Sequence, residues 1–236
     1  MNNNLLQLKI KERLNKLSSL DYDNIECWQV VEAFNKAQLE WSRRQAHGTN
    51  QTREGGESST MNIDDLQVIL TDTKDVPLVF TKYDAYYESD ILPTNYLYYK
   101  RLSLKCKVEC CPDRPMTVYL VQVGNIDNLL VDNDKKPSAE WGETICTLAS
   151  NKIKVYTNGE FEITEPILYY YRKPREVEFL NCVNPSTGNI SSANITCEFK
   201  DDIVEILIDE TCAILAGDIE SMTQYQRAQQ NSNLNT

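Results

Sequence analysis

The sequence predicts an α+β fold: a helical bundle made from the N- and C-terminal helices, with an antiparallel β-domain, sandwich- or barrel-like, inserted between them. Three observations predict it. Apolar residues near both ends recur at helical spacing, whereas the stretch between them alternates with a period of two. The segment "DDIVEILIDETCAILAGDIES" (201–221) is apolar over most of a helix circumference, through Ile203, Val204, Leu207, Ile208, Cys212, Leu215 and Ile219, widened by Ile206, Ala213, Ile214 and Ala216. Such a helix must be covered, and the N-terminal helices are its natural cover. The expected boundaries are a helical part at 1–72, an inserted β-domain at 73–199 and a closing helix at 200–236.

The elements follow in order. Leu6, Ile10, Leu14 and Leu17 share one face of a first helix over 4–18. Asp21–Asn24 supplies capping and turn residues before a longer helix, whose stripe is Cys27/Trp28, Val30/Val31, Phe34, Ala37/Gln38 and Trp41. Arg43, Arg44 and Gly48 mark its end, because cations suit the negative C-terminus and glycine adopts the left-handed exit. Residues 48–60, rich in Gly, Ser and Thr, read as an exposed loop, and 62–70 as a short helix capped by Asn62.

After Pro77 the period changes. In "YLYYKRLSLKCKVEC" (96–110), Leu102, Leu104, Cys106, Val108 and Cys110 point one way and Arg101, Ser103, Lys105, Lys107 and Glu109 the other. "MTVYLVQV" (116–123) is a further strand. Asn158-Gly159 between alternating runs predicts a hairpin over 153–163. "ILYYYRKP" and "EVEFL" read as more strands, 184–194 as a loop, and "ITCEF" leads back out. The last helix opens at Asp201/Asp202 with Glu205 in a capping-box position.

Composition narrows the function classes. The chain has 236 residues, long enough for a substantial core, and no apolar run of about 18 residues that would span a bilayer. With no signal-peptide pattern at the N-terminus, a cytoplasmic site of synthesis is expected. A net charge of −11 opposes gripping nucleic acid over the whole surface, yet suits a lining past which DNA slides. Eight cysteines in such a compartment are expected to be reduced, with Cys27 and Cys212 buried in helices.

Chemical motifs are sparse. The single histidine, His47, falls at a polar helix end and suits solvation there. Asp64/Asp65 and Asp201/Asp202 open helices, where the macrodipole accounts for them, and Asp209/Glu210 read as a solvent-facing edge. Cys106, Cys110 and Cys111 lack the second pair that a zinc site requires. No catalytic residue, metal site or cofactor is therefore expected, and the chain reads as not an enzyme. Thirteen tyrosines supply either a β-core or a Tyr/Arg-rich interface.

The phrases "EAFNKAQLEWSRRQAHGTN", "IDDLQVIL", "LPTNYLYYKR", "NKIKVYTNGEF", "YYYRKP" and "EFKDDIVEILIDETCAILAGDIES" resemble a virion protein of crAss-like tailed bacteriophages, of the head–tail connector (adaptor or ring protein) type. The order of segments resembles adaptors of short-tailed phages, in which a helical bundle carries a β-insert. The resemblance implies a homo-oligomer, a twelve-subunit ring beneath the portal, contacting the portal and adjacent tail proteins and meeting DNA only in passing, with no membrane partner. It implies assembly in the host cytoplasm and residence in the virion. On that reading Trp28, Phe34, Trp41, Ile203, Leu207 and Ile214 are candidate interface residues. The alternatives are another virion component (a stopper, tail hub or decoration protein) or, from a different class, a carboxylate- or metal-dependent enzyme.

Overall fold

The computed structural model describes residues 1–15, 25–47, 64–75, 77–108, 111–183 and 188–218. The predicted features at Leu17, 21–24, 48–60, Asn62, Cys110 and Ile219 lie outside them. The chain divides into two compact units: Met1–Ile69 with Pro174–Thr236, and Leu70–Lys173. The strand-bearing unit thus ends short of the expected 199, and the residues after Lys173 belong with the helices.

The first unit is built on helices α1 (Asn3–Asn15), α2 (Cys27–His47) and α4 (Asp201–Asp218). On α2 the buried positions are Val30, Ala33, Phe34, Ala37, Gln38, Trp41 and Ser42, the 3/4 spacing of one helical face. On α1 they are Leu6, Ile10 and Leu14. Helix α4 packs against both and buries Ile203, Val204, Leu207, Ile208, Cys212, Leu215 and Ala216. Two hydroxyls caught inside are satisfied within their own helices: Ser42 Oγ donates to the Gln38 carbonyl at 2.8 Å and Thr211 Oγ1 to the Leu207 carbonyl at 2.6 Å.

In the segment 174–200 a strand was expected at "EVEFL", ahead of a loop at 184–194. Its described residues are irregular instead, joined by the isolated bridges Glu178–Ile195 and Val183–Ile190. Side-chain amides replace a ladder and stitch it to the helices. Asn35 donates to the Val177 carbonyl at 3.2 Å and accepts from the Val177 N–H at 2.8 Å. Buried Asn3 donates to the carbonyls of Glu178 and Ile195, at 2.9 and 3.1 Å. Further along, Phe199 meets the Trp41 ring edge-on at 5.1 Å.

The second unit is one eight-stranded sheet curled into a half-barrel. Its strands are β1 (Leu70–Asp72), β2 (Phe80–Lys82), β3 (Tyr86–Ser89), β4 (Tyr96–Val108), β5 (Cys111–Leu120), β6 (Glu143–Ala149), β7 (Lys152–Tyr156) and β8 (Glu162–Arg172), in the order β1-β8-β4-β5-β6-β7-β3-β2. Leu102, Leu104 and Cys106 of β4 alternate inward as expected, joining Met116, Cys146, Ile153, Val155, Phe161 and Leu168 in its core.

This corrects the expected fold. The architecture is a strand-rich mixed α+β fold, not a bundle of terminal helices carrying an antiparallel insert. Five helices occur among the described residues, counting one turn at 64–66 and the short α3 (Ile126–Val131), and an irregular arm takes up much of the helical unit. Nor is the sheet antiparallel throughout: β5 and β6 run parallel. Parallel neighbours need a crossover, and residues 121–142, with α3 inside them, provide it. Side-chain alternation marks a strand but not its direction, so this was invisible in the pattern.

The Asn158-Gly159 expectation is corrected too. Both residues have positive φ, 53° and 73°, as a type I′ turn requires. The strands they join are nevertheless not neighbours, since β7 lies between β6 and β3 while β8 lies between β1 and β4. The turn hands the chain across the sheet and rests on the β2–β3 connection, where the N–H groups of Thr157 and Asn158 both reach the Ala85 carbonyl at 3.0 Å. The two-residue hairpin turn is Ser150-Asn151, with φ of 52° and 60°, closing β6 onto β7. Replacing Gly159 by Ala would put a Cβ in the left-handed region, 3.3 Å from the Asp84 carbonyl oxygen. The expected cost is about 1 kcal/mol or more, read as a lowered urea midpoint.

Candidate interaction surfaces

Helix α4 was expected to show solvent a carboxylate edge at Asp209/Glu210. The edge is closed instead. Arg13 of α1 donates to Asp209 at 2.6 Å and also engages Glu205, which Lys9 engages as well. Glu205, expected in a capping box, is thus turned toward α1. Glu210 is buried and pairs with Arg44 of α2, whose pKa burial lowers. A buried carboxylate needs a charged, hydrogen-bonded partner, which Arg44 supplies, so the Asp209/Glu210 edge of α4 is covered while Ile206, Ala213 and Ile214 stay half-buried. At the neighbouring helix start, Lys200 engages Asp64 and sits 3.8 Å from Asp65, whose pKa burial raises.

The predicted interface residues divide accordingly. Phe34, Trp41, Ile203 and Leu207 are fully buried inside the chain's own helical unit. Trp28 and Ile214 are half-buried and line one shallow groove together with Ile25, Gln29 and Lys36. Periodicity identifies an apolar face but not whether its cover comes from the same chain.

Trp28 also borders a larger groove of about 590 Å³ between α2 and the 174–191 arm. Its apolar lining includes Val31, Phe179, Val183 and Ile190, and its carboxylates are Glu32, Glu176 and Glu178. Cys182, on its wall, forms a disulfide with Cys27 at the start of α2, across 155 residues of sequence with Cα atoms 5.8 Å apart. This corrects the expectation that Cys27 is reduced, because the stitched arm brings Cys182 within bonding reach. Cys106, Cys146, Cys197 and Cys212 are free and buried.

The sheet unit presents tyrosine with cations. Arg101 lies over the Tyr169 ring at 4.8 Å and Lys74 over the same ring at 6.0 Å, while Lys100 lies over Tyr171 at 5.8 Å. Across the sheet, Tyr83 stacks on Tyr86 at 4.8 Å, and Lys154, over the Tyr86 ring, shares Glu88 with Lys152. On the β5–β6 crossover the large side chains Val123, Val131 and Trp141 stand 57, 83 and 78 % exposed.

Among the described residues no group of three or more His, Cys, Asp and Glu is placed to hold a metal ion, and no helix is long and apolar enough to cross a membrane. No family model and no curated protein matches the chain.

Two outcomes follow from the cysteines. Reducing the Cys27–Cys182 bond removes a constraint on a very long loop and should cost about 2–5 kcal/mol. Hydrogen exchange should then quicken at 177–195, with the sheet unit unchanged. Burial pushes Cys146 and Cys197 up to about 11 and Cys212 up to about 12, from an ordinary value of 9.0. These thiols should resist alkylation in the folded protein at pH 8.5. The folded state holds those protons longer than the unfolded chain, so their stabilising contribution is full below about pH 9 and lost as pH rises through 11 to 12. A urea midpoint that falls across this window checks the sign.

Proposed function

We propose that this chain is a structural virion subunit, one copy of a ring in the portal-to-tail connector of a tailed bacteriophage, through which DNA passes. The observation that carries the reading is the β5–β6 crossover. Val123, Val131 and Trp141 stand exposed on one segment, Val131 and Trp141 more so than any other large apolar side chain among the described residues, and Trp is among the residues most enriched at interface hot spots. This segment is the surface that meets the adjacent ring.

Charge supports the same reading. The strand-bearing unit holds 13 Lys and Arg against 15 Asp and Glu, whereas the helical unit with its flanking segments holds 11 against 20. Acidity concentrated in one unit suits a lumen that repels the DNA backbone and keeps it from sticking. In two of the three carboxylate pairs that a hydrolytic enzyme would use, the acids are engaged by bases: Asp64 by Lys200, Asp209 by Arg13 and Glu210 by Arg44.

Peptide mass spectrometry of purified phage particles, counting this chain against the portal subunit, tests the proposal. A ratio near one is expected. Several copies per portal subunit would move the chain to the shell or a multi-ring tail, and its absence from particles would overturn the structural reading. In an assembled connector, Trp141→Ala should weaken attachment to the neighbouring ring by about 2 kcal/mol or more, read as tail loss at a lower temperature.

A further inference from the structure

Two surfaces carry charge that pairing among the described residues leaves largely unmatched. The groove between α2 and the 174–191 arm is lined by Glu32, Glu176 and Glu178 with no Lys or Arg. Glu178 accepts from Ser191 Oγ at 2.7 Å, and among the described residues neither Glu32 nor Glu176 has a basic partner. Ile190, 64 % exposed, supplies apolar wall beside them. On the sheet unit, Lys100 and Arg101 rest on tyrosine rings with no carboxylate partner among the described residues, and Lys74 joins them over Tyr169, 3.8 Å from Asp72. Tyr169 lies opposite Arg101 on the adjacent strand, so cations and ring form one patch.

The two surfaces are complementary: three carboxylates around an apolar floor, and three cations on an aromatic one. We propose that the acidic groove of one copy seats the Lys74–Lys100–Arg101 patch of a second copy. Groove and patch lie on different units of the chain, so the contact is heterologous, and each copy offers a free patch and a free groove to the next. Such contacts propagate and close into a ring when the rotation permits. The inference rests on the ring reading above and names the surfaces that would build it. Burying Arg and Tyr against carboxylates is interface chemistry, and the ion pairs make the association sensitive to salt.

Paired charge reversal tests it on the full chain. Glu32, Glu176, Lys100 and Arg101 are all exposed, so E32K/E176K and K100E/R101E should both fold, which circular dichroism verifies. Sedimentation velocity up to millimolar concentration should show the unaltered chain associating, less so at high salt. Each double variant alone should associate at least about tenfold more weakly. An equimolar mixture of the two should regain association, because Lys-bearing grooves then face Glu-bearing patches and the original pairing survives at the other contact. Association untouched by either reversal overturns the inference and leaves a ring built from other surfaces. A chain that stays monomeric at millimolar concentration overturns it together with self-assembly of the free protein. If K100E/R101E abolishes binding of a DNA fragment while self-association persists, the patch is a nucleic-acid site and the inference fails.

Discussion

Everything in the helical unit follows from the need to cover α4. Its buried Ile203, Val204, Leu207, Ile208 and Leu215 each contribute about 1.5–3 kcal/mol on leaving water, whereas an exposed ion pair contributes at most about 1 kcal/mol. Burial therefore decides the arrangement, and the charges accommodate it. Helices from the opposite end of the chain supply the cover, and their Lys9, Arg13 and Arg44 meet the acids that α4 would otherwise leave stranded. With α1, α2 and α4 bound together, the eight strands of Leu70–Lys173 lie between them in sequence as one unit. The irregular arm is the return path, held by Asn3, Asn35 and the Cys27–Cys182 bond rather than by a ladder.

The covered helix also limits which surfaces can meet a neighbour. A residue such as Leu207 or Trp41, spent on the chain's own core, cannot anchor a neighbour. What remains available is chemistry that internal packing does not consume: tyrosines under cations, a tryptophan on a crossover, carboxylates around a groove. Cations resting on aromatic rings keep part of their hydration, so they are held in place and still free to pair.

Local periodicity made part of this legible. The 3.6-residue spacing located α1, α2 and α4, and the alternation of Leu102, Leu104 and Cys106 located β4 and its inward face. The demand of α4 for cover was readable from its circumference alone. What was hidden depends on partners distant in sequence. Direction within the sheet is one case, since β5 and β6 alternate alike whether parallel or not. Asn158-Gly159 has the dihedrals of a hairpin turn, but neighbouring strands decide whether a hairpin forms. Asp209 and Glu210 looked solvated because nothing in the sequence places Arg13 and Arg44 against them. The disulfide joins residues 155 apart, and its partner sits in a segment without any regular period. The groove draws on that same segment, so no pattern could have announced it.

On the reading proposed above, this chain is a ring subunit whose helix α4 is covered by α1 and α2 of the same copy, leaving the groove, the patch and the crossover for neighbours. Electron cryomicroscopy of the portal–tail junction in phage particles carrying the chain tests it most directly. The account predicts a closed ring of two-unit subunits, each α4 packed on α1 and α2 of its own copy, with Trp141 at the contact to the next ring. Density placing α4 against another copy, or no ring of this chain at the junction, would contradict it.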